Sequence, residues 1–304
     1  MNRLTLLKQN PYYIFCTLNR KGILKFLPDK AHIRLMYRAH MGKKLDLRDP
    51  ETYNEKLQWL KLYDRRREYT QMVDKYGVRE YVSKMIGEEY LIPLLGKWDD
   101  PEDIDFHALP EQFVLKCNHD SGSVIICRSK ADLDIAKVRK KLKRHLKRGT
   151  YIYGREWPYK NVIPCVIAEQ YLEDAQTSEL RDYKFFVFDG AVKAMFIATD
   201  RHCKTRPTAF DFFDADFQHI DMRHGHPNAG VVPEKPRNFE RMKELAQKLA
   251  AGLSQVRVDF YEVNGRIYFG EITFFHHGGF TPFDPEEYDT LWGSWINLPE
   301  QTTQ

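Results

Sequence analysis

The sequence has few cysteines and no long apolar run, and both absences narrow the class of protein. Its 304 residues include five cysteines, an odd number, and no two of them have C-x-x-C spacing. This usage predicts neither a disulfide framework nor a zinc site and fits a reducing, cytoplasmic location. No stretch approaches the roughly 18 apolar residues of a membrane-spanning helix, so no transmembrane segment is predicted.

A strong excess of one charge is also missing. The chain has 47 Lys and Arg against 43 Asp and Glu, a net charge of +4. Nucleic-acid-binding proteins usually carry a larger excess, concentrated on one face. The densest basic run, at 137–144, overlaps an apolar stripe with helical spacing, so it is typical of a solvated helix face. No nucleic-acid partner is predicted.

With 42% hydrophobic residues, the chain can form one large core or two to three small ones. Residues 1–110 are predicted to be mainly helical, with helices at 54–63 and 67–86. From residue 112 the apolar period changes to two, which predicts strands. We expect a small strand-and-helix unit at 111–168 and a larger antiparallel unit at 169–304. The predicted fold class is α+β.

The last predicted hairpin, at 256–273, carries four polar side chains among strand-forming residues, namely Arg257, Asp259, Glu271 and Thr273. Side chains alternate between the two faces of a strand, so the register decides whether the four meet. A two-residue turn at Asn264 and Gly265 would place the two carboxylates on opposite faces. A type I turn with a bulge at Gly265 would bring all four to one face, and we predict this turn.

Two carboxylates and a hydroxyl on one face suit Mg²⁺ held together with substrate phosphates, because Mg²⁺ prefers oxygen ligands. Asp259, Glu271 and Thr273 are therefore the predicted ligands, and Arg257 could neutralise charge on a transferring phosphoryl group. The same spacing is also compatible with a solvated strand face and an Arg–Asp surface pair, since short patterns have many false positives.

Lys116 lies near the end of an apolar strand predicted at 113–117, before a loop of small and polar residues at 118–123. Backbone N–H groups around Gly122 and Ser123 could bind the same anion as the lysine ammonium, which makes this segment a candidate phosphate site. The P-loop pattern G-x-x-x-x-G-K-[ST] is absent. An exposed lysine before an ordinary hairpin turn would give the same pattern.

A third segment joins the two predicted units. The strand expected at 162–171 contains Glu169 and Gln170 and leads to Leu172, where backbone groups could bind an adenine edge. Asp182 could bind ribose hydroxyls, and Lys184 could reach phosphates. A plain interdomain strand with surface charges is the alternative. His276 and His277 are adjacent in a predicted loop, and we expect them to point apart, which suits a metal poorly.

These segments occur in the order and approximate spacing of the ATP-grasp superfamily. The chain most resembles the TupA-like ATP-grasp family, named for teichuronopeptide biosynthesis, and the resemblance covers residues 27–295. It rests on the motifs LPDK (27–30), YNEKLQWLKL (53–62), DKYGVR (74–79), LIPLLG (91–96), FVLKCNH (113–119), DYKFF (182–186), RVDFY (257–261) and GEITF (270–274).

The resemblance implies a fold in which two α+β subdomains grip ATP, with 111–168 as the lid and 169–304 as the larger subdomain. Asp259 and Glu271 would bind Mg²⁺, and Arg257 would lie next to the reacting phosphate. The nucleotide contacts that it implies are Lys75, Lys116, the Gly122 loop, and the hinge formed by Glu169, Gln170 and Leu172.

The chain departs from the family pattern in two places. Thr273 stands where many ATP-grasp enzymes have Asn, and a hydroxyl can still bind Mg²⁺. Residues 275–279 read FHHGG, where relatives often have a Pro-Gly-Ser-Gly-like run. This loop would lie beside the acceptor substrate.

The resemblance implies ATP- and Mg²⁺-dependent ligation of a carboxylate and an amine through an acyl phosphate. Its substrates would be small molecules such as a sugar acid or an amino acid. It would serve cell-surface polysaccharide or peptide–glycan synthesis, in peripheral association with a glycan-assembly complex.

Two alternatives stay open at this stage. One is a glycosyltransferase-type enzyme of polysaccharide assembly, because residues 214–216 form a D-x-D motif, although in a predicted turn. The other is a degenerate ATP-grasp scaffold that only binds a partner. The presence of Lys116, Asp259 and Glu271 argues against the latter.

Overall fold

The computed structural model describes residues 10–175, 180–201, 203 and 205–300. Helices and antiparallel strands make up this part of the chain, which confirms the predicted α+β class. The α-helices are α1 (Ile14–Arg20), α2 (Asp29–Met41), α3 (Tyr53–Tyr63), α4 (Glu68–Val73), α5 (Val78–Met85), α6 (Ile135–Leu146), α7 (Tyr151–Gly154), α8 (Phe239–Leu249) and α9 (Glu287–Ser294). The strands are β1 (Leu94–Trp98), β2 (Phe113–Cys117), β3 (Ile125–Cys127), β4 (Val166–Gln170), β5 (Asp182–Phe188), β6 (Ala191–Thr199), β7 (Ala209–Asp214), β8 (His219–Ile220), β9 (Arg223–His224), β10 (Gln255–Val263), β11 (Arg266–Thr273) and β12 (Phe283–Asp284).

Helix α3 follows directly from its sequence, and the prediction at 54–63 is confirmed. Thr52 Oγ1 accepts a hydrogen bond from the N–H of Glu55, and the Glu55 carboxylate accepts one from the N–H of Thr52. This reciprocal capping box satisfies two backbone donors that a helix start leaves without partners.

The single helix predicted at 67–86 is wrong, because the chain leaves the helix between α4 and α5. Asp74 adopts an extended backbone, and its Oδ1 accepts from the N–H of Tyr76 at 2.8 Å. An Asp side chain that bonds its own following backbone competes with the helix ladder. The break also lets the N–H of Lys75 donate to the carbonyl of Asn118 at 3.0 Å, which ties this segment to the loop after β2.

The first sheet is antiparallel, with strand order β1–β4–β2–β3. Helix α6 packs on it through Val138 and Leu142, which share a core with Phe113 and Leu115. The exposed basic face of α6 is therefore the polar side of an amphipathic helix, as its spacing predicted. The sheet takes one strand, β1, from before residue 111. The domain boundaries predicted from the sequence stay a prediction.

The second sheet is also antiparallel, with strand order β11–β10–β5–β6–β7–β8. Helix α8 packs on it through Met242, Leu245 and Leu249 and joins the largest core of the described residues. Strand β10 lies between β5 and β11 in this sheet. Its residues Arg257 and Asp259 therefore pair in register with residues of both neighbouring strands.

The register of the last hairpin places all four predicted polar residues together, but by a different route from the one predicted. Asn264 and Gly265 both have positive φ, at 51° and 77°, and Val263 pairs with Arg266, so the turn is a tight two-residue turn. The extra residue is Gly270, because Asp259 pairs with Glu271 while Phe260 pairs with Phe269. A Cβ at Gly270 would lie 3.1 Å from the Asp259 carbonyl oxygen, so glycine permits this bulge.

No helix in the described part of the chain has both the length and the apolar character needed to cross a membrane. All five cysteines are free thiols in the structure.

Candidate active site

The residues Arg257, Asp259, Glu271 and Thr273, named here the hairpin cluster, contact one another through the arginine. Its Nε and Nη2 donate to the two carboxylate oxygens of Asp259 at 2.7 and 2.8 Å. Nη2 also donates to Glu271 Oε1 at 2.9 Å and to Thr273 Oγ1 at 3.0 Å. One planar guanidinium thus holds two carboxylates and a hydroxyl in place, as its fork of donors allows.

Two lysines from other elements join the hairpin cluster. Lys184 is paired in register with Asp259 from the neighbouring strand β5, and its Nζ forms an ion pair with that carboxylate. Lys75, which lies in the break between α4 and α5, places its Nζ 3.6 Å from Glu271 Oε2. The structure therefore brings together the predicted metal ligands and two of the predicted phosphate-binding lysines.

The surrounding cations keep the Glu271 carboxylate ionised. Burial by itself raises the pKa of Glu271, but Lys75, Lys184 and Arg257 outweigh burial and hold that pKa well below its ordinary value. Burial lowers the pKa of Lys184, against an opposing effect of Asp259. Mg²⁺ prefers oxygen ligands, carboxylates among them, so the donor chemistry of Asp259 and Glu271 fits this ion.

The hydroxyl of Thr273 completes the oxygen set. Its Oγ1 lies 3.4 Å from Glu271 Oε1, on the same edge of the hairpin. Arg257 donates to all three groups in this structure, so Mg²⁺ would have to replace part of its hydrogen bonding.

The lid lysine predicted from the sequence lies on the other sheet. Lys116 Nζ is 2.5 Å from Glu169 Oε2, and Arg79 Nη1 lies 3.6 Å from the other carboxylate oxygen of Glu169. Glu169, expected at the adenine hinge, is 6% exposed and balances these two cations. The structure places Lys116 and Arg79 side by side, where both could meet an anion.

The remaining predicted hinge residues, Gln170 and Leu172, follow Glu169 along the chain. Gln170 has an exposed side chain, but its backbone N–H donates to the Pro93 carbonyl at 3.0 Å and is not available to an adenine edge. Leu172 is half-buried just after β4. An adenine contact at Leu172 stays a prediction.

The loop predicted to cover phosphates is braced internally. Ser123 is fully buried, and its Oγ accepts a hydrogen bond from the N–H of Cys117 at 2.8 Å. The same hydroxyl donates to the Asp120 carboxylate, and that carboxylate also contacts the ring of His145 on α6. The Ser123 side chain therefore holds the loop, and its backbone N–H, which was expected to bind phosphate, donates to Asp120 Oδ1 at 3.3 Å. A phosphate contact of this residue stays a prediction. Gly122 is exposed, and a Cβ there would lie 3.2 Å from the ring of His145.

Asp182 also has a different position from the one expected. It was predicted to bind ribose, but it is 1% exposed and forms ion pairs with Lys184 and Arg201. This buried carboxylate is paired with two cations, so it orients their side chains and is not exposed for a hydrogen bond with a sugar hydroxyl. Arg201 was not among the predicted site residues, and no local motif marks it.

A cavity of about 330 Å³ opens beside the hairpin cluster. Cationic and imidazole groups dominate its polar lining, with Glu271 as the acidic member. The residues that line it are Lys184, Phe196, Ala198, Arg201, Thr208, Phe210, His226, Arg257, Glu271, His276 and His277. Such a lining suits an anionic substrate group.

The expectation that His276 and His277 point apart is wrong, because their ring centroids lie 4.1 Å from each other. His277 has a left-handed backbone, with φ at 50°, and this turns its ring back toward His276. His224 was missed, and its ring lies 5.1 Å from each of the other two. Strand alternation does not mark it, because the segment is not extended at Gly225, which has a positive φ of 84°.

Comparison with models of protein families gives a match to the TupA-like ATP-grasp family over residues 55–297. This match confirms the resemblance drawn from the sequence motifs. Together with the helices and antiparallel sheets, it also confirms the predicted ATP-grasp fold. No curated protein matches the chain.

Three solved structures illustrate the likeness. D-alanine–D-alanine ligase from Bacillus anthracis, complexed with ATP, is 19% identical with a TM-score of 0.39, over 66% of this chain and 54% of that one. The ATP-grasp ligase PsnB with minimal precursor, Mg and ADP is 14% identical with a TM-score of 0.38, over 72% and 57%. L-amino acid ligase from Bacillus licheniformis is 10% identical with a TM-score of 0.44, over 84% and 55%. The chain spans less than two thirds of the length of each.

Proposed function

The chain belongs to the TupA-like ATP-grasp family, and from this premise we propose that it is an ATP- and Mg²⁺-dependent ligase that joins a carboxylate to an amine. The observation that carries the proposal is the hairpin cluster with its two added lysines. Hydrogen bonds and ion pairs join two carboxylates, a hydroxyl and three cations, and three of these residues, Lys184, Arg257 and Glu271, line one cavity.

The reaction needs activation of the carboxylate, because hydroxide is too poor a leaving group for an amine to displace. Transfer of the γ-phosphoryl group of ATP gives an acyl phosphate, whose leaving group is good. Positioning and charge neutralisation supply most of the catalysis in such a transfer. These are the two properties that the hairpin cluster offers.

Each residue has a separate task in this proposal. Asp259, Glu271 and Thr273 would hold Mg²⁺, which supplies Lewis-acid neutralisation of phosphate charge when bound. Lys184 and Lys75 bind phosphate oxygens, and Arg257 stabilises the charge that develops on the transferring group. The loop that contains Gly122 covers the phosphates and excludes the water that would hydrolyse an acyl phosphate.

The cellular role and the substrates belong to the same proposal. We infer a cytoplasmic enzyme that acts on small molecules, such as a sugar acid or an amino acid, in cell-surface polysaccharide or peptide–glycan synthesis. Residues 111–168 would form the lid and 169–304 the larger subdomain. The cationic lining of the cavity supports an anionic substrate group.

The D-x-D motif at 214–216 does not favour the glycosyltransferase alternative. Asp214 Oδ1 accepts from the N–H groups of Asp216 at 2.9 Å and Gln218 at 2.8 Å, so this carboxylate caps the turn between β7 and β8. An Asp used in this way is ordinary turn chemistry.

The nucleotide product should be ADP with phosphate, and not AMP with pyrophosphate. Asp259, Glu271 and Thr273 would hold Mg²⁺, which would neutralise phosphate charge, and the cations Lys184 and Arg257 lie beside these residues, so we expect the γ-phosphorus to be the reacting atom. The measurement is chromatography of nucleotides after incubation with ATP, Mg²⁺ and pairs of carboxylates and amines. Hydroxylamine should trap the activated carboxylate as a hydroxamate. Formation of AMP, or sugar transfer from a nucleotide sugar without ATP, would refute the proposed function.

Lys116→Met should weaken ATP binding about 10- to 100-fold, because a hydrogen bond to a charged group contributes about 1.5–3 kcal/mol. Arg79 would still balance Glu169, so the fold should persist. Calorimetric titration with ATP and Mg²⁺ measures the effect. Lys140→Met, at an exposed position of α6, is the matched control and should bind like the wild type. An unchanged affinity in Lys116→Met would remove the lysine from the phosphate site.

A further inference from the structure

Three histidines that the proposed ligase chemistry does not use form a compact group. His224, His276 and His277, named here the histidine cluster, each offer a ring nitrogen, and these three atoms all lie within 4.8 Å of one another. His224 comes from β9, whereas the other two come from the turn after β11. Segments that are far apart in the sequence therefore bring three imidazoles to one point.

Two of the ring nitrogens are buried without a hydrogen-bond partner among the described residues, His224 Nδ1 and His276 Nε2. His224 is 0% exposed and His276 is 2% exposed, and these two nitrogen atoms are shielded from bulk solvent. An unsatisfied buried polar atom costs about 1–3 kcal/mol, and a bound water or ion is one explanation for such atoms in a native protein.

The backbone is shaped to bring the third ring to the cluster. His277 adopts a left-handed conformation, which costs a residue with a side chain of this size on the order of 1 kcal/mol or more. Gly225 has a positive φ of 84°, and a Cβ there would lie 2.7 Å from His277 Nε2. Glycine at 225 thus makes the room that the ring of His277 occupies.

We propose that the histidine cluster is a binding site for a transition-metal ion such as Zn²⁺, distinct from the Mg²⁺ carboxylates of the hairpin cluster. Three imidazoles and no carboxylate favour Zn²⁺ or a similar borderline ion over Mg²⁺. Nitrogen atoms bound to one tetrahedral Zn²⁺ at about 2.05 Å lie roughly 3.3 Å apart. Contraction by an ångström or so would convert the observed group into ligands.

The surroundings of His224 match those of a metal ligand. Its Nε2–H donates to the Thr281 carbonyl at 3.0 Å, which leaves the lone pair on Nδ1. Metal-bound histidines usually donate their second N–H to a carbonyl or carboxylate, because this fixes the tautomer and the ring orientation.

His276 couples the histidine cluster to the hairpin cluster. Its Nδ1 accepts from Arg257 Nη1 at 2.6 Å, so the ring proton lies on Nε2 in this structure. An ion bound at Nε2 would shift that proton to Nδ1 and open this contact. Arg257 would keep its bonds to Asp259 and Glu271, while Nη1 would become available to a phosphate.

The site would also be open to a ligand. His276 and His277 line the cavity beside the hairpin cluster, together with Thr208 and His226. Three protein ligands leave a fourth position on Zn²⁺, which an oxygen or nitrogen donor from the cavity could take.

The test is metal stoichiometry in protein that carries no affinity tag. Purified protein is incubated with ZnCl₂ in the presence of excess Mg²⁺ and desalted, and its zinc content is measured by mass spectrometry. In a second experiment the protein is loaded with Co²⁺ and its visible absorption spectrum is recorded. We expect one equivalent of zinc per chain. We also expect a Co²⁺ spectrum of four-coordinate nitrogen type. No ATP is present, so the result does not depend on ligase activity.

His277→Gly separates metal binding from folding, because glycine accepts the left-handed backbone without strain and the position is exposed. We expect it to melt like the wild type and to bind zinc at least 10-fold more weakly. His107→Gln, at an exposed position outside the cluster, should retain full zinc binding. No zinc in the wild-type protein would overturn the proposal. The proposal would also be overturned if His277→Gly bound as much zinc as the wild type, or if His107→Gln lost as much zinc binding as His277→Gly.

Discussion

Glu271→Gln should reduce ATP turnover by about 1,000-fold or more while leaving the protein folded. The substitution removes a charge from the proposed Mg²⁺ site, and metal neutralisation of a transferring phosphoryl group is worth several kcal/mol. The carboxylate side chain is 31% exposed, so its neutral amide can be solvated and stability should change little. Rates are followed by ADP release and folding by thermal melting.

Asp259→Asn provides an internal comparison because this carboxylate is fully buried. It accepts from Arg257 and Lys184, and loss of one member of such a group costs about 3–5 kcal/mol of stability. This variant should therefore have both a lower rate of ATP turnover and a lower melting temperature than the wild type. Glu244→Gln, at an exposed position on α8, should match the wild type in both measurements. A wild-type rate in Glu271→Gln would show that the metal assignment is wrong.

Arg257→Lys should lower kcat by about 100-fold or more, although the positive charge is kept. Lysine has no planar fork, so it cannot bond Asp259, Glu271 and Thr273 at once as arginine does. Removal of one preorganised donor at a developing charge typically costs about 100- to 1,000-fold in rate. The loss should fall mainly on kcat, because Lys184 and Lys75 still bind the phosphates.

Steady-state kinetics and ATP titration separate the two effects. The control is Arg266→Lys, on the same hairpin but exposed at its turn, and its kinetics should be those of the wild type. Equal kcat values in the two variants would mean that Arg257 does not contact the reacting group.

The hairpin shows how far the residues by themselves predict a site. Alternation along two strands and the family motifs identified Arg257, Asp259, Glu271 and Thr273 without any coordinates. The bulge that aligns them was expected at Gly265 but lies at Gly270. A two-residue turn and a three-residue turn can share one dipeptide sequence, and only the packing of Gly270 against the backbone of Asp259 decides between them.

The charge environment of each candidate could not be predicted from its neighbours in sequence. Asp182 and Ser123 have the residue types of ligand contacts, yet one lies beneath two cations and the other braces a loop. Burial of a polar group depends on which elements pack over it, and that is a property of the whole fold.

By itself, then, the sequence determined the features that are encoded within a few residues: the capping box of α3, the strand alternation of β10 and β11, the amphipathic face of α6 and the family motifs. Their physical basis is local, since side-chain periodicity and backbone hydrogen bonding act between near neighbours. Tertiary structure alone decided that Lys75 reaches Glu271 and that His224 meets His276 and His277. Those contacts join elements distant in sequence, and their geometry depends on sheet register and on packing between elements.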